Sequence, residues 1–404
     1  MECHSRSCMP KLDISQYEGR EQAYVKHCLL EDYLSKWSYI VGNAWDSLIY
    51  VDGFAGPWGA KDEKFGDASF GIAARVLGDA IRGLQTRDIN VRGACIFIEK
   101  KPDAFQKLEA FAKTNSSRLV RTVALRGRFV ELIPQIEKEI STTGRNPFKF
   151  VFLDQKGWAA TPMEKLKPFL RNRSCEVLFN LMTSFLTRFV EHEDRASSYH
   201  SLFGRAGVLE RIRALPKGTG QREEAAVEEY CISLKQICGF KYVSQAVIVE
   251  PGKEKVRYHL VFATNSPRGV EVFKSAETEA ARIQDDVRYQ KRVATTGMHD
   301  LFVALGNEAP VSRITTEVRK RNLQRVRARI LDVLGKSTST SGVPYIDLFC
   351  EAMAFPLVTP DDLQNCLHSL EPHIQFEFAG SSRRKKLSTA QDDRVVVVNR
   401  SALA

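Results

Sequence analysis

Leu48-Ile49-Tyr50-Val51-Asp52-Gly53-Phe54-Ala55-Gly56-Pro57-Trp58-Gly59 combines an apolar run, an acid and three glycines within twelve residues. The run Ser47–Val51 has the pattern of a strand buried on both faces, and Asp52-Gly53 has the pattern of the turn that ends it. Gly53, Gly56 and Gly59 offer three places where backbone can approach a ligand without a Cβ in the way. A nucleotide cofactor with a charged amino-acid tail needs such an approach at the end of a first strand. Asp52 is placed to accept a hydrogen bond from the ammonium group of that tail, and Phe54 falls inside the same turn. The same string also serves as a plain turn between strand and helix, so its meaning depends on its surroundings.

Those surroundings alternate. Residues 20–41 carry apolar positions at helical spacing, among them Tyr24, Leu29, Tyr33 and Trp37. Downstream come a helix at 68–84, a strand Ala94–Ile98 ending at Glu99, and a helix Pro102–Thr114. A strand Leu119–Leu125, a helix Val130–Ile140 with Pro134 as a local fault, and a strand Phe148–Leu153 ending at Asp154 follow. A helix Pro162–Leu170 and a strand Glu176–Met182 complete the series. Strands alternating with helices predict a mainly parallel sheet covered on both faces. Residues 185–238 then read as a helical insert, broken at Pro216-Lys217-Gly218-Thr219-Gly220. Strands Tyr242–Val249 and Val256–Ala263, joined through Pro251-Gly252, predict an antiparallel hairpin, and 270–297 a long helix.

The expected fold class is therefore α/β: a class I methyltransferase-like (Rossmann-like) sheet over 20–305 that ends in an antiparallel hairpin, after a loose N-terminal arm at 1–19. The basic stretch 306–322 reads as a linker. Helices near 324–335, 344–354 and 360–370, followed by a hairpin of His373–Phe378 with Arg394–Val398, predict a winged helix-turn-helix domain over 323–404.

Within that frame Glu99, at the end of the second strand, is placed to accept both hydroxyls of a ribose. Arg128, in Gly127-Arg128-Phe129 after the third strand, stands where the base edge of the cofactor is expected. Asp154-Gln155-Lys156-Gly157-Trp158 closes the fourth strand, where the transferred group meets its acceptor. There Asp154 is placed to hold the substrate, Trp158 to stack on a planar group, and Lys156 to contact phosphate or act as a base; the same string also serves as a plain strand end with a solvated lysine. His192 and His259 read as solvated and structural, respectively.

Composition narrows the partners. With 404 residues, 43% hydrophobic and 27% charged, the chain has enough apolar content for two or three folded domains. No run of about 20 apolar residues is present, so no membrane span is expected. Met1-Glu2-Cys3-His4-Ser5-Arg6 does not have the form of a secretory signal. Nine scattered cysteines read as reduced thiols of a cytoplasmic protein. Cys3-His4 with Cys8 lacks a second pair at ligand spacing, so no metal is expected. A net charge of +10 favours an anionic partner, nucleic acid first, with Arg383, Arg384, Lys385 and Lys386 at the wing tip lying on phosphates. Asp361 and Asp362 open the recognition helix and would repel phosphate, which leaves a partner protein as the other candidate.

Lys26, Tyr33-Leu34, Tyr50-Val51-Asp52-Gly53-Phe54-Ala55-Gly56, Glu99, Asp154 with Gly157-Trp158, Phe203-Gly204 and Tyr258-His259-Leu260-Val261-Phe262-Ala263-Thr264 together resemble the three-Cys-motif partner family of methyltransferase-like bacterial and phage proteins. The resemblance covers roughly residues 20–300. It implies S-adenosylmethionine as cofactor, held by Asp52, Gly53, Gly56 and Glu99, and methyl transfer to a nucleic acid or a partner protein. Gln155, Lys156 and Arg128 depart from the family pattern. They motivate the alternative of a catalytically degenerate nucleic-acid-binding or scaffold protein on the same frame.

Overall fold

The apolar run forms β1 (Ser47–Asp52), and all of its residues are buried. In the computed structural model, which describes residues 12–57, 59–157, 160–171, 173–297, 309–337, 341–380 and 384–399, β1 has a parallel neighbour on each side. These are β2 (Arg92–Glu99) and β4 (Pro147–Leu153), in a register that sets Asp52 opposite both Phe97 and Phe152. β3 (Val120–Arg126) pairs in parallel outside β2. β5 (Cys175–Leu181) runs antiparallel to β7 (Val256–Thr264), which pairs antiparallel with β6 (Tyr242–Val249). The order is β3-β2-β1-β4-β5-β7-β6. A parallel sheet whose order reverses beside its first strand, and whose last hairpin is inserted out of sequence order, is the class I methyltransferase fold.

Residues Met1–Lys156 and Gly157–Ala404 form two compact units. In the first, α1 (Glu21–Gly42) packs on the sheet through Tyr33 and Trp37, whose rings stand 5.3 and 5.9 Å from that of Phe150. α2 (Ser69–Gln85), α3 (Pro102–Asn115) and α4 (Ile133–Ser141) complete the β/α alternation. Pro134 is no fault. A 3-10 turn at Phe129–Glu131 precedes α4, and Pro134 occupies the first turn of that helix, where its missing N–H breaks no bond.

The expectation of a loose arm fails for residues 12–19, while 1–11 lie outside the described residues. Asp13 caps a 3-10 turn, Ile14–Tyr17, by accepting the Ser15 N–H at 2.9 Å. Tyr17 is fully buried and its hydroxyl bonds His27 Nδ1 at 3.0 Å. Arg20 forms an ion pair with buried Asp67, which also accepts the Lys61 N–H at 2.8 Å. One aromatic anchor and one buried ion pair therefore order this strap.

In the second unit, α5 (Met163–Leu170) leads into β5. α6 (Thr183–Phe189), α7 (Ala196–Phe203), α8 (Val208–Arg213) and α9 (Gln221–Gln236) form the helical insert, and α10 (Pro267–Thr296) follows β7. The stretch expected to be a linker is helical from Arg313: α11 runs Arg313–Lys336 and is capped by the Ser312 side chain. It buries Val318, Asn322, Val326, Ile330 and Leu334, one every fourth residue. Arginines between those positions, and a buried Asn among them, hide the stripe in the sequence. β8 (Val343–Pro344), α12 (Tyr345–Ala352), α13 (Pro360–His368), β9 (Ile374–Glu377) and β10 (Arg394–Val397) follow, with sheet order β8-β10-β9.

This C-terminal part is joined to α10 and β6 by buried groups. Lys274 pairs with Glu277, both inaccessible; Lys274 also donates to the Phe355 carbonyl at 3.0 Å, and Glu277 accepts the Leu357 N–H at 2.7 Å. The Ser244 hydroxyl donates to the Met353 carbonyl at 2.6 Å. Arg321 and Arg325 of α11 pair with Glu224 and Glu228 of α9.

The entry to α2 supplies a test. A Cβ on Gly71 would lie 2.0 Å from the carbonyl oxygen of Phe65, a backbone atom that cannot swing aside. Alanine in a helix normally gains about 1 kcal/mol over glycine, but overpacking costs about 1–3 kcal/mol or more. Gly71→Ala is therefore expected to lower the thermal unfolding midpoint, and an unchanged or raised midpoint would contradict the packing described.

Candidate functional site

The strand order reverses between β1 and β4, and in open α/β sheets the crevice at the carboxyl ends of such strands is where ligands bind. Asp52 ends β1, Glu99 ends β2, and Asp154 follows β4 directly. Given the register, Glu99 and Asp154 each extend two residues beyond the partner of Asp52. Three acids thus stand at the carboxyl ends of three adjacent strands.

The turn after β1 is bonded to both neighbours: Gly53 N–H donates to the Phe152 carbonyl and Ala55 N–H to the Ile98 carbonyl, each at 2.9 Å. Gly53 is required by packing, since a Cβ there would meet Leu153 at 2.5 Å and Phe129 at 3.1 Å. Asp52 is fully buried. Its Oδ1 accepts the Phe54 N–H at 3.0 Å and its Oδ2 the Ser69 hydroxyl at 2.6 Å, with the Tyr50 hydroxyl at 3.4 Å. Burial, opposed by the bonds from Ser69 and Phe54, pushes its carboxyl up to about 6. Asp52 thus holds the turn against the start of α2, with no exposed oxygen to offer a ligand directly. Gly56 and the Phe54 ring are half-buried.

Glu99 is buried at 4% exposure, and its Oε1 accepts the Lys101 N–H at 2.7 Å ahead of α3. Among the described residues nothing donates to its Oε2. The Glu99 carbonyl accepts the Gly127 N–H at 3.1 Å, tying the β3 turn to the same place. Arg128 has an exposed side chain 3.9 Å from Glu131, while its carbonyl caps the turn at Phe129–Glu131. Buried Phe129 packs 6.4 Å from the ring of Phe54, so the aromatic beside Arg128 is the residue that reaches the glycine turn.

Asp154 forms an ion pair with Lys26, a buried lysine of α1. The sequence spacing gave Lys26 no chemical role; 128 residues separate the partners, and only the resemblance drew notice to it. Beside it, burial pushes the His27 imidazole down to about 3, so that ring is neutral. Gln155 is also buried, and among the described residues neither its amide nitrogen nor its amide oxygen has a hydrogen-bond partner. Lys156 is exposed, which fits a phosphate contact and removes the burial that a lysine base requires. Trp158 lies outside the described residues, as does Trp58.

The predicted phosphate contacts of the wing are largely engaged internally. Arg384 grips Asp393 with two nitrogens at 2.7 and 2.9 Å and donates to the Ala379 carbonyl. Lys386 pairs with Asp361 at 2.8 Å, and Arg319 pairs with Asp362. The two acids of α13 are thus neutralised, Asp361 by Lys386, one of the cations expected to meet phosphate, and Asp362 by Arg319 of α11. Lys385 is exposed, and Arg383 lies outside the described residues.

No group of three His, Cys, Asp or Glu side chains that would hold a metal ion occurs among the described residues, and no helix among them is long and apolar enough to cross a membrane. His192 sits on the surface 3.8 Å from Asp194, and His259 is buried against the Thr183 hydroxyl.

No protein-family model and no curated protein matches the chain. Among solved structures, the chain is similar to the O-methyltransferase TomG from Streptomyces achromogenes in complex with SAM, at 14% identity and TM-score 0.32, covering 64% of this chain and 93% of that one. It is also similar to the O-methyltransferase from Bacillus cereus in complex with SAH, at 11% identity and TM-score 0.28, covering 58% and 80%.

Asp52 predicts a pH signature. A carboxyl raised to about 6 in the fold binds its proton more tightly than in the unfolded chain. Between pH 4 and 6 the folded state therefore carries more of that proton, and stability from this group falls as pH rises through the window. Asp52→Asn keeps an acceptor for Phe54 and removes the titration. Its stability relative to wild type is expected to rise from pH 4 to pH 7; a difference independent of pH would contradict the burial assigned to Asp52.

Proposed function

We propose that the chain is an S-adenosylmethionine-dependent methyltransferase of the three-Cys-motif partner type, acting on a nucleic acid or a partner protein. The observation that carries this reading is the row of Asp52, Glu99 and Asp154 at the carboxyl ends of β1, β2 and β4, beside the strand-order reversal. The residues fit the cofactor. The Oε2 of Glu99 is available to the ribose hydroxyls, and the backbone of Gly53–Gly56 is fixed by three hydrogen bonds, to the Phe152 and Ile98 carbonyls and the Asp52 carboxylate, which Ser69 holds in turn. Asp52 supports the ligand through that turn or through water. Bound S-adenosylmethionine would supply an electrophilic methyl group; the protein holds the acceptor in line and excludes water, with positioning as its main contribution.

Asp154 sets the acceptor chemistry. Its carboxylate is neutralised by Lys26, so the pair presents a donor and an acceptor rather than a bare anion. The alternative reading, a degenerate binding or scaffold protein, draws on the same pair together with the unpartnered Gln155 amide. The α11-β8-α12-α13-β9-β10 part is proposed as a winged helix, whose α13 face offers phosphate no unpaired cation.

Calorimetry with S-adenosylmethionine tests the cofactor site. Wild type is expected to bind, and Glu99→Ala to bind about 10- to 100-fold more weakly, the loss of charge-assisted hydrogen bonds. No binding to wild type overturns the proposal. Binding without tritiated-methyl transfer to nucleic acid or lysate protein would favour the degenerate reading.

A further inference from the structure

A cavity of about 250 Å³ opens in the helical insert, between α6, the Lys217-Gly218 loop, the start of α9 and the β6–β7 turn. Its lining carries four cations, Arg188, Lys217, Arg222 and Lys255, against two acids, Glu191 and Glu223, an excess of two positive charges. The internal pairing is uneven. Glu191 is held by Arg222 at 2.8 Å and Lys217 at 3.1 Å, which keep its carboxyl below the usual range. Arg222 is buried and spends its other nitrogens on the Leu215 and Arg213 carbonyls. Glu223 accepts the Thr187 hydroxyl at 2.8 Å. Arg188 and Lys255 are left with no acidic partner among the described residues.

Arg188 and Lys255 face a cavity in which Glu223 is the one carboxylate not held by a cation among the described residues, so the lining keeps an excess of positive charge that a bound anion would offset. The guanidinium of Arg188 also lies 5.3 Å from the ring of Phe185, one of the few exposed large apolar side chains. An exposed ring beside a cation at the rim of a basic cavity is the combination that holds single strands, with a base on the aromatic face and phosphate on the charges. The volume lies just below the usual range of ligand pockets, about 300–1,000 Å³, and suits a single phosphate or nucleotide better than a folded surface.

We propose that this cavity is a phosphate site for a single nucleic-acid strand, with Arg188 and Lys255 as the phosphate contacts and Phe185 as the stacking surface. It deepens the nucleic-acid reading of the proposed function and moves the contact from the wing to the helical insert.

The test is fluorescence anisotropy of a labelled single-stranded RNA of about 12 nucleotides, with unlabelled pyrophosphate as competitor. It uses the full chain, the Arg188→Ala/Lys255→Ala double variant, Phe185→Ala, and Arg313→Ala as a control at an exposed arginine elsewhere. The double variant is expected to lose at least tenfold in affinity at low salt. The slope of log affinity against log salt should shrink by about 1.4, at roughly 0.7 per contact for single strands. Phe185→Ala should weaken RNA but not pyrophosphate, and Arg313→Ala should match wild type. RNA binding unchanged in the double variant overturns the proposal, as does pyrophosphate binding with no RNA binding. Calorimetry with S-adenosylmethionine on the double variant separates the sites: retained cofactor binding with lost RNA binding locates the failure in the cavity alone.

Discussion

A carboxylate without access to water has to find its hydrogen bonds inside the protein, and Asp52 finds them in the turn that follows β1 and in the start of α2. One oxygen takes the Phe54 N–H of the glycine turn, and the other takes the Ser69 hydroxyl at the start of α2. The cost of burying the group is evident in its raised pKa. Everything near the pocket is arranged around that clamp. Gly53 has no Cβ because Leu153 and Phe129 close on it, and Gly71 has none because the Phe65 carbonyl lies against α2. The proposed cofactor site is a turn already fixed by hydrogen bonds within the protein.

Around the clamp the charges are paired rather than displayed. Lys26 meets Asp154, Arg20 meets Asp67, and Arg75 meets Glu31. The strap at residues 12–20 is held by the second of these pairs and by the Tyr17–His27 bond. A neutral His27 suits this place, since a third positive charge beside Lys26 and Arg20 would be repelled. The same economy governs the C-terminal part, where Arg319, Arg384 and Lys386 each have an acid. A net charge of +10 is therefore a poor guide to where a polyanion lands. Within the cavity of the helical insert, the cations without an acidic partner among the described residues are Arg188 and Lys255.

The sheet was legible because a parallel strand buried on both faces reads as an unbroken apolar run, as at Leu48–Val51 and Phe150–Leu153. The Pro-Gly connection marked the β6–β7 hairpin for the same local reason. Glu99 and Asp154 were legible because strand ends are visible in sequence. Lys26 was not, since its partner is set by how α1 crosses the sheet. The strap escaped notice because Tyr17 and Arg20 act singly and produce no period. The start of α11 escaped because arginines that reach the acids of α9 look, in sequence, like the solvated charges of a linker. Gln155 stood out only as a departure from a pattern, and its burial without partners follows from the fold.

The central claim is that the carboxyl ends of β1, β2 and β4 form a nucleotide-cofactor pocket. A crystal structure of the full chain grown with S-adenosylhomocysteine tests it most directly. The account predicts the ribose hydroxyls on Glu99 Oε2 and the amino-acid tail against the backbone of Gly53–Gly56, with the Asp52–Ser69 bond intact. Ligand density elsewhere on the chain, or an Asp52 turn that rearranges to admit the ligand, would contradict it.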